Sequence, residues 1–380
     1  MRRRIVIAPD SFKGTLSAQD AALAIAAGWR AERPHDELVL VPQADGGEGT
    51  LDAIAQAVPE AQWRTARVSG PLGEPRDARW LLMPGDHAVI ELAECCGITL
   101  LPRATNGSLA IAPMAASSRG VGEAIAAALD AGARRVTLAL GGSASTDGGL
   151  GALTALGLRL LDTDGLELEP GGGALNLLHT IDSSALPTAP PLGMRLLTDT
   201  TAELTGPRGA AAVFAPQKGA TAEQVALLDR GLARAAELAG GEVHLQPGSG
   251  AAGGTAWGFA HYWGASIRSG ADAIAELTRL DAALEGADLI ITGEGRLDAT
   301  SRTGKVVGAI AERAAAAQVA VAVVAGQTTL ARDETGAVDA AAVGLGLVLT
   351  LADLAGSPEA AVHEPERWLR AAGAELARSL

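Results

Sequence analysis

Cysteine is almost missing from this chain: 380 residues contain two, and they are neighbours, Cys95 and Cys96. Adjacent cysteines do not readily bridge one another, and no CxxC or Cys/His spacing occurs, which excludes a disulfide framework and a zinc site. Aromatic residues make up 3 % of the chain, with a single Tyr, so stacking platforms for nucleic-acid bases or sugars are lacking. Positive charge is in deficit too. The 30 Lys and Arg against 44 Asp and Glu leave a formal net charge of −14, which excludes the basic stripe that nucleic-acid binding requires. Long apolar runs are absent as well. The opening "MRRRIVIAPDSFKG" is broken at Pro9, Asp10 and Lys13, unlike a signal peptide. No run approaches the ~18 apolar residues of a membrane span, and the expected location is the cytoplasm.

What is abundant is glycine, 48 residues, within an aliphatic, alanine-rich chain that is 48 % hydrophobic. This length suits two domains better than one core. Apolar β-branched runs alternate with helical stretches: "RIVIA" then "AQDAALAIAAGWR", "ELVLVP" then "EGTLDAIAQAV", and "GVGEAIAAALDAGA" before "RVTLAL". The pattern returns late with "ADLIITG", "GAIAERAAAA", "VAVAVVAG" and "LGLVLTL". Continuous strands that each feed a helix predict parallel α/β sheets. The turn-rich "DTDGLELEPGGGALN" and "SSALPTAPPLG" between these regions fit a second or inserted domain.

Ligands of open α/β sheets bind beyond the C-terminal ends of the strands. Four such ends here carry chemistry: "PDSFKGTLSA", "QADGGEGT", "GGSASTDGGLG" and "GEGRLDATSRTGK". Caps account for some of their Asp and Ser residues. Asp10, Lys13, Asp45, Glu48, Asp147, Glu294, Arg296, Asp298 and Lys305 together exceed what caps need and predict a shared active site. "GGSASTDGGLG", residues 141 to 151, is glycine-rich enough to bring backbone N–H groups against an anion. With "LGALTALGLRLL" read as a helix, the loop falls at a helix N-terminus, which favours phosphate. The bland alternative is a tight turn.

Two nucleotide signatures fail. The Walker pattern before Lys305 has Ala299 for its first glycine and Val306 for its hydroxyl. "GSGAAG", residues 248 to 253, matches GxGxxG but follows "EVHLQP", where Pro247 stands in place of a delivering strand. There is no GxSxG, and His35, His87, His179 and His244 lie in uninformative surroundings, so nucleophilic triads are unsupported. Phosphoryl transfer needs cations, metal-holding carboxylates, a base and acceptor anchors, and this inventory supplies each.

"IVIAPDSFKGTLSA", "PQADGGEGT", "GGSASTDGGLG", "FAPQKGA", "GSGAAGG" and "ITGEGRLD" followed by "TGK" resemble, in order, the motifs of the bacterial class II glycerate kinases. The resemblance implies ATP- and Mg²⁺-dependent phosphorylation of D-glycerate, mostly at the 2-hydroxyl. It also implies two α/β domains: a discontinuous Rossmann-like parallel sheet from residues 1–65 plus 285–380, and a middle α/β domain over 66–284, with the active site in the cleft between them. In this reading Asp45 and Glu48 hold Mg²⁺ or orient glycerate, and Lys13, Arg296 and Lys305 neutralise anions. The glycine loop, with Gly141, Gly142, Ser143 and Thr146, cradles phosphate. Asp10, Ser11, Gly46, Gly47, Asp147, Glu294 and Asp298 complete the binding surface, and Asp199, after "MRLLT", is the expected base. Expected partners are ATP and D-glycerate, with no nucleic acid and no membrane, and a homodimer is left open. The chain departs from the family where "DVTNPL" becomes "DTTAEL", with Ala202 and Glu203 in place of Asn-Pro, and where Thr300 replaces a common Gln. Those departures keep two alternatives open: a kinase for a related hydroxy acid, and a non-catalytic anion-binding or regulatory protein on the same fold.

Overall fold

The computed structural model describes residues 2–12, 14–102, 109–298, 301, 305–332, 338 and 345–379. By internal contacts the chain divides into two compact units, one of residues 1–45, 52–59 and 269–380, the other of 46–51 and 60–268.

The first unit is built on a five-stranded sheet in the order Leu347–Thr350, Ala320–Thr328, Leu289–Leu297, Arg4–Ile7, Glu37–Leu40, every pair parallel. Its two central strands, Arg4–Ile7 and Leu289–Leu297, are largely buried on both faces, as parallel strands with helical crossovers are. Successive residues alternate accordingly. Ile5, Ile7 and Ile291 pack into one apolar cluster with the Ala18–Glu32 and Pro365–Arg378 helices. Val6 and Ile290 pack into a second cluster with Gly270–Leu277, Leu280–Leu284 and Val306–Ala316. The chain leaves the Arg4–Ile7 strand toward Glu37–Leu40 on one side and later returns to Leu289–Leu297 on its other side. The strand order therefore reverses at that pair.

The second unit carries a six-stranded mixed sheet. Ser266–Arg268, Met194–Leu197, Arg135–Ala139 and His87–Glu91 run parallel, and the hairpin of Pro75–Met83 and Gln62–Ser69 is added antiparallel. A two-stranded ribbon joins Arg159–Leu161 to Thr180–Asp182. This ribbon corrects one expectation. The segment read as a single helix after the glycine loop is helical only over Leu150–Ala155. Gly157, at φ +111, turns the chain, and Arg159–Leu161 then pairs as a strand. The apolar spacing of "ALTALGLRLL" suits a helix, but cross-strand pairing after the glycine overrides it. The helix that follows the loop is therefore only 6 residues long.

Candidate active site

In the first unit the residues after the Arg4–Ile7 strand stay zipped to the neighbouring strand. The Asp10 N–H donates to the Gly293 carbonyl at 2.8 Å, and the buried Asp10 carboxylate accepts from the Ser11 N–H at 2.6 Å. Leu289–Leu297 is long enough to carry the buried Glu294 and the exposed Arg296 past that point. Beyond it the Asp298 N–H donates to Ser301 Oγ and the Ser301 N–H to the Asp298 carbonyl, both at 3.0 Å. Lys305 immediately precedes the Val306–Ala316 helix, its Nζ 3.9 Å from Asp298 Oδ1.

These residues converge. Asp10, Ser11, Asp45, Glu294, Arg296, Asp298 and Lys305 all line one cavity of about 370 Å³, whose apolar lining includes Phe12, Leu351, Ala361 and Val362. The cavity lies at the C-terminal ends of the two strands where the strand order reverses, the position that favours ligand binding in open α/β sheets. Lys13 lies outside the described residues, as does Thr300.

In the second unit Arg135–Ala139 and Met194–Leu197 pair in parallel, with Ala139 opposite Leu197, so the segments that follow leave the sheet side by side. Gly141, Gly142, Ser143, Thr198 and Thr200 line a cavity of about 400 Å³, closed by Gln217, Lys218 and Gly253. Asp199 sits half-buried between the two threonines. Gly46 and Gly47 back this loop: the Gly141 N–H donates to the Gly46 carbonyl at 3.1 Å, and a Cβ on Gly141 would collide with the Gly47 Cα. Glu48 is exposed and lines neither cavity.

The glycine loop has two halves with different tasks. Residues 141–143 face the cavity. Ser145, Thr146 and Asp147 are buried in the unit. Asp147 is held by Ser118, whose N–H and Oγ donate to its Oδ2 at 2.8 and 2.9 Å, and by the Gly149 N–H, which donates to Oδ1 at 3.1 Å. Burial raises its pKa against the pull of those donors. Thr146 Oγ1 is buried with no hydrogen-bond partner among the described residues, and it lines no part of the 400 Å³ cavity. Sequence reasoning put Ser143 and Thr146 in one phosphate cradle with Asp147 on the same binding surface; in the fold Ser143 lines the cavity, and Thr146 and Asp147 do not.

Two buried charged groups escaped the sequence reading. Glu91 ends the His87–Glu91 strand, buried, and its carboxylate accepts from the Gly49 and Leu51 N–H groups at 3.1 and 3.3 Å, which fixes the 46–51 turn. Lys218 ends the short 3₁₀ turn Pro216–Lys218, is 4 % exposed, and donates to the Ser145 carbonyl. Burial lowers its pKa to about 8, opposed by the fields of Cys96 and Asp147. Composition held a signal for it. Lys13, Lys218 and Lys305 are the only lysines among 30 Lys and Arg, so this chain uses arginine for its surface cations and keeps lysine in three motif loops.

Carboxylates and cations gathered at a reversal of strand order, beside an apolar wall, define an α/β protein equipped for a charged small molecule. A profile described as the glycerate kinase family matches residues 5–380. The chain is 42 % identical over 336 residues to the glycerate kinase of Bacillus subtilis (strain 168), covering 87 % of this chain and 86 % of that one. It is 41 % identical over 309 residues to the glycerate 2-kinase of Escherichia coli (strain K12), covering 80 % of each. A solved structure described as a glycerate kinase 2 from Salmonella typhimurium LT2 superposes with a TM-score of 0.81 at 35 % identity, covering 100 % of this chain and 98 % of that one. The chain belongs to the glycerate kinase family, and it is an enzyme, a kinase.

Proposed function

We propose that the protein transfers the γ-phosphoryl group of ATP to D-glycerate, at the 2-hydroxyl, to give 2-phosphoglycerate and ADP. Both substrates are small molecules, and the reading places the enzyme in the cytoplasm. Among the described residues no helix is long and apolar enough to cross a membrane. The observation that carries the reading is the first unit's cavity, where Arg296 and Lys305 stand with four carboxylates around an apolar wall. Phosphoryl transfer is catalysed mostly by positioning and charge neutralisation, and this wall has the groups for both.

Arg296 and Lys305 neutralise phosphate oxygens of the donor, and the apolar wall suits the adenine ring. The donor chemistry fits Mg²⁺. No three Asp, Glu, His or Cys side chains among the described residues form a ready cage, and Mg²⁺ is usually bound by one or two carboxylates together with phosphates and water. Asp45 and Glu294 are the residues that would hold it. When bound, the ion would supply charge neutralisation on the phosphate oxygens. In the second unit Asp199 takes the proton of the acceptor hydroxyl, and the Gly141–Ser143 edge contacts the acceptor through backbone N–H groups and Ser143 Oγ.

The test is an ADP-release assay across small hydroxy acids with and without Mg²⁺. D-glycerate is expected to give the highest kcat/KM, with turnover abolished by EDTA and restored by Mg²⁺. Full activity in excess EDTA contradicts the metal; no turnover with any hydroxy acid contradicts the kinase reading.

A further inference from the structure

We infer that Lys218 is the cation that binds the carboxylate of the hydroxy-acid acceptor in the second unit's cavity, an inference that rests on the proposed kinase activity. Three observations carry it. First, Lys218 lines that cavity while only 4 % exposed, and its one hydrogen bond among the described residues goes to the Ser145 carbonyl. An ammonium has three donors and a full charge, and a buried charge is costly unless an opposite charge meets it. The buried Asp147 acts on it only through its field, and no carboxylate of the described residues lies within ion-pair distance of it. Second, the cavity's other polar walls are hydroxyl and amide groups, Ser143, Thr198, Thr200 and Gln217, which suit the hydroxyls of a small polyol acid. Third, the charge count selects the ligand. One buried positive charge balances one carboxylate, whereas a triphosphate needs several cations, and those line the first unit's cavity as Arg296 and Lys305.

Three lysines in the whole chain make the test direct on the wild-type enzyme. Lysine labelled with ¹³C at the ε position gives three signals, assigned through Lys13→Arg and Lys305→Arg. D-glycerate is expected to shift the Lys218 signal, whereas glyceramide, which lacks the charge, and a non-hydrolysable ATP analogue leave it in place. In kinetics, Lys218→Gln keeps a donor for the Ser145 carbonyl and is expected to raise KM for D-glycerate on the order of 10- to 100-fold, with KM for ATP changed less than about 3-fold. A Lys218 signal that D-glycerate leaves unmoved, or that moves with the nucleotide analogue instead, overturns the inference. If D-glycerate is turned over while that signal stays still, only this inference fails. If D-glycerate is not turned over, the kinase reading fails, and a D-glycerate shift at Lys218 still supports the carboxylate site.

Discussion

The two cavities are similar in size, about 370 and 400 Å³, yet they distribute charge in opposite ways. The first exposes Arg296 and half-exposes Lys305 among several carboxylates, so its charges remain partly hydrated and can exchange partners. The second buries a single ammonium against hydroxyls and backbone, with the buried Asp147 acting on it only through its field. A hydrated, multivalent wall suits a polyphosphate that arrives with a metal and leaves as a different species. A desolvated single charge discriminates, because any ligand lacking the matching charge leaves it unpaired. Burial, more than the number of charged residues, separates a surface that handles charge from a pocket that selects for it.

The largest predicted effect comes from the backbone behind the second cavity. Gly253 holds φ +65 at a non-helical kink in which Ala252 and Gly254 are also left-handed, and a Cβ there would collide with the Ser145 carbonyl. Backbone strain and overpacking together predict that Gly253→Ala costs about 3 to 5 kcal/mol, read by chemical denaturation as loss of the second unit's structure. An unchanged unfolding curve would show this wall to be pliant.

Next are the cations of the first cavity. Because they are exposed or half-exposed, Arg296→Met and Lys305→Met should leave the thermal transition within about 2 °C and raise KM for ATP about 10-fold or more. A lowered melting temperature with normal ATP kinetics would reverse the comparison and make them structural.

The pH profile is the third test. Lys218 binds an anion only while protonated, and its pKa near 8 is held down by burial. As pH rises through that value the ammonium is lost, so kcat/KM for D-glycerate should fall about 10-fold per unit above about pH 8. The charged or titratable groups facing it are Asp147 and Cys96; burial pushes the Cys96 thiol up to about 11, so it stays neutral through this range. Lys218→Gln should flatten that limb. The smallest effect is expected from Ser143→Ala, about 3- to 5-fold in KM for glycerate, since one neutral hydroxyl contributes about 1 kcal/mol.

Much of the fold was legible in the sequence. Apolar runs such as "RIVIA" and "ADLIIT" carry the parallel-strand signal on their own, and the polar residues after them fall on one cavity because a parallel sheet puts all its C-terminal ends on one edge. Segments whose role depends on distant partners were harder to read. The Gln62–Ser69 and Pro75–Met83 strands carry charged residues on an exposed face, so their pattern looks like a loop until they pair. Asp147 reads as a ligand-facing carboxylate because nothing near it in sequence announces Ser118 as its partner. Lys218 sits in a motif whose chemistry is invisible without the burial that the Ser145 carbonyl and the cavity walls impose.

The central claim is tested most directly by incubating the enzyme with ATP, Mg²⁺ and D-glycerate and identifying the product by ³¹P and ¹³C NMR. The account predicts stoichiometric ADP and a phosphoester on carbon 2 of glycerate. ATP that is hydrolysed to free phosphate, or left intact with D-glycerate unphosphorylated, would contradict it.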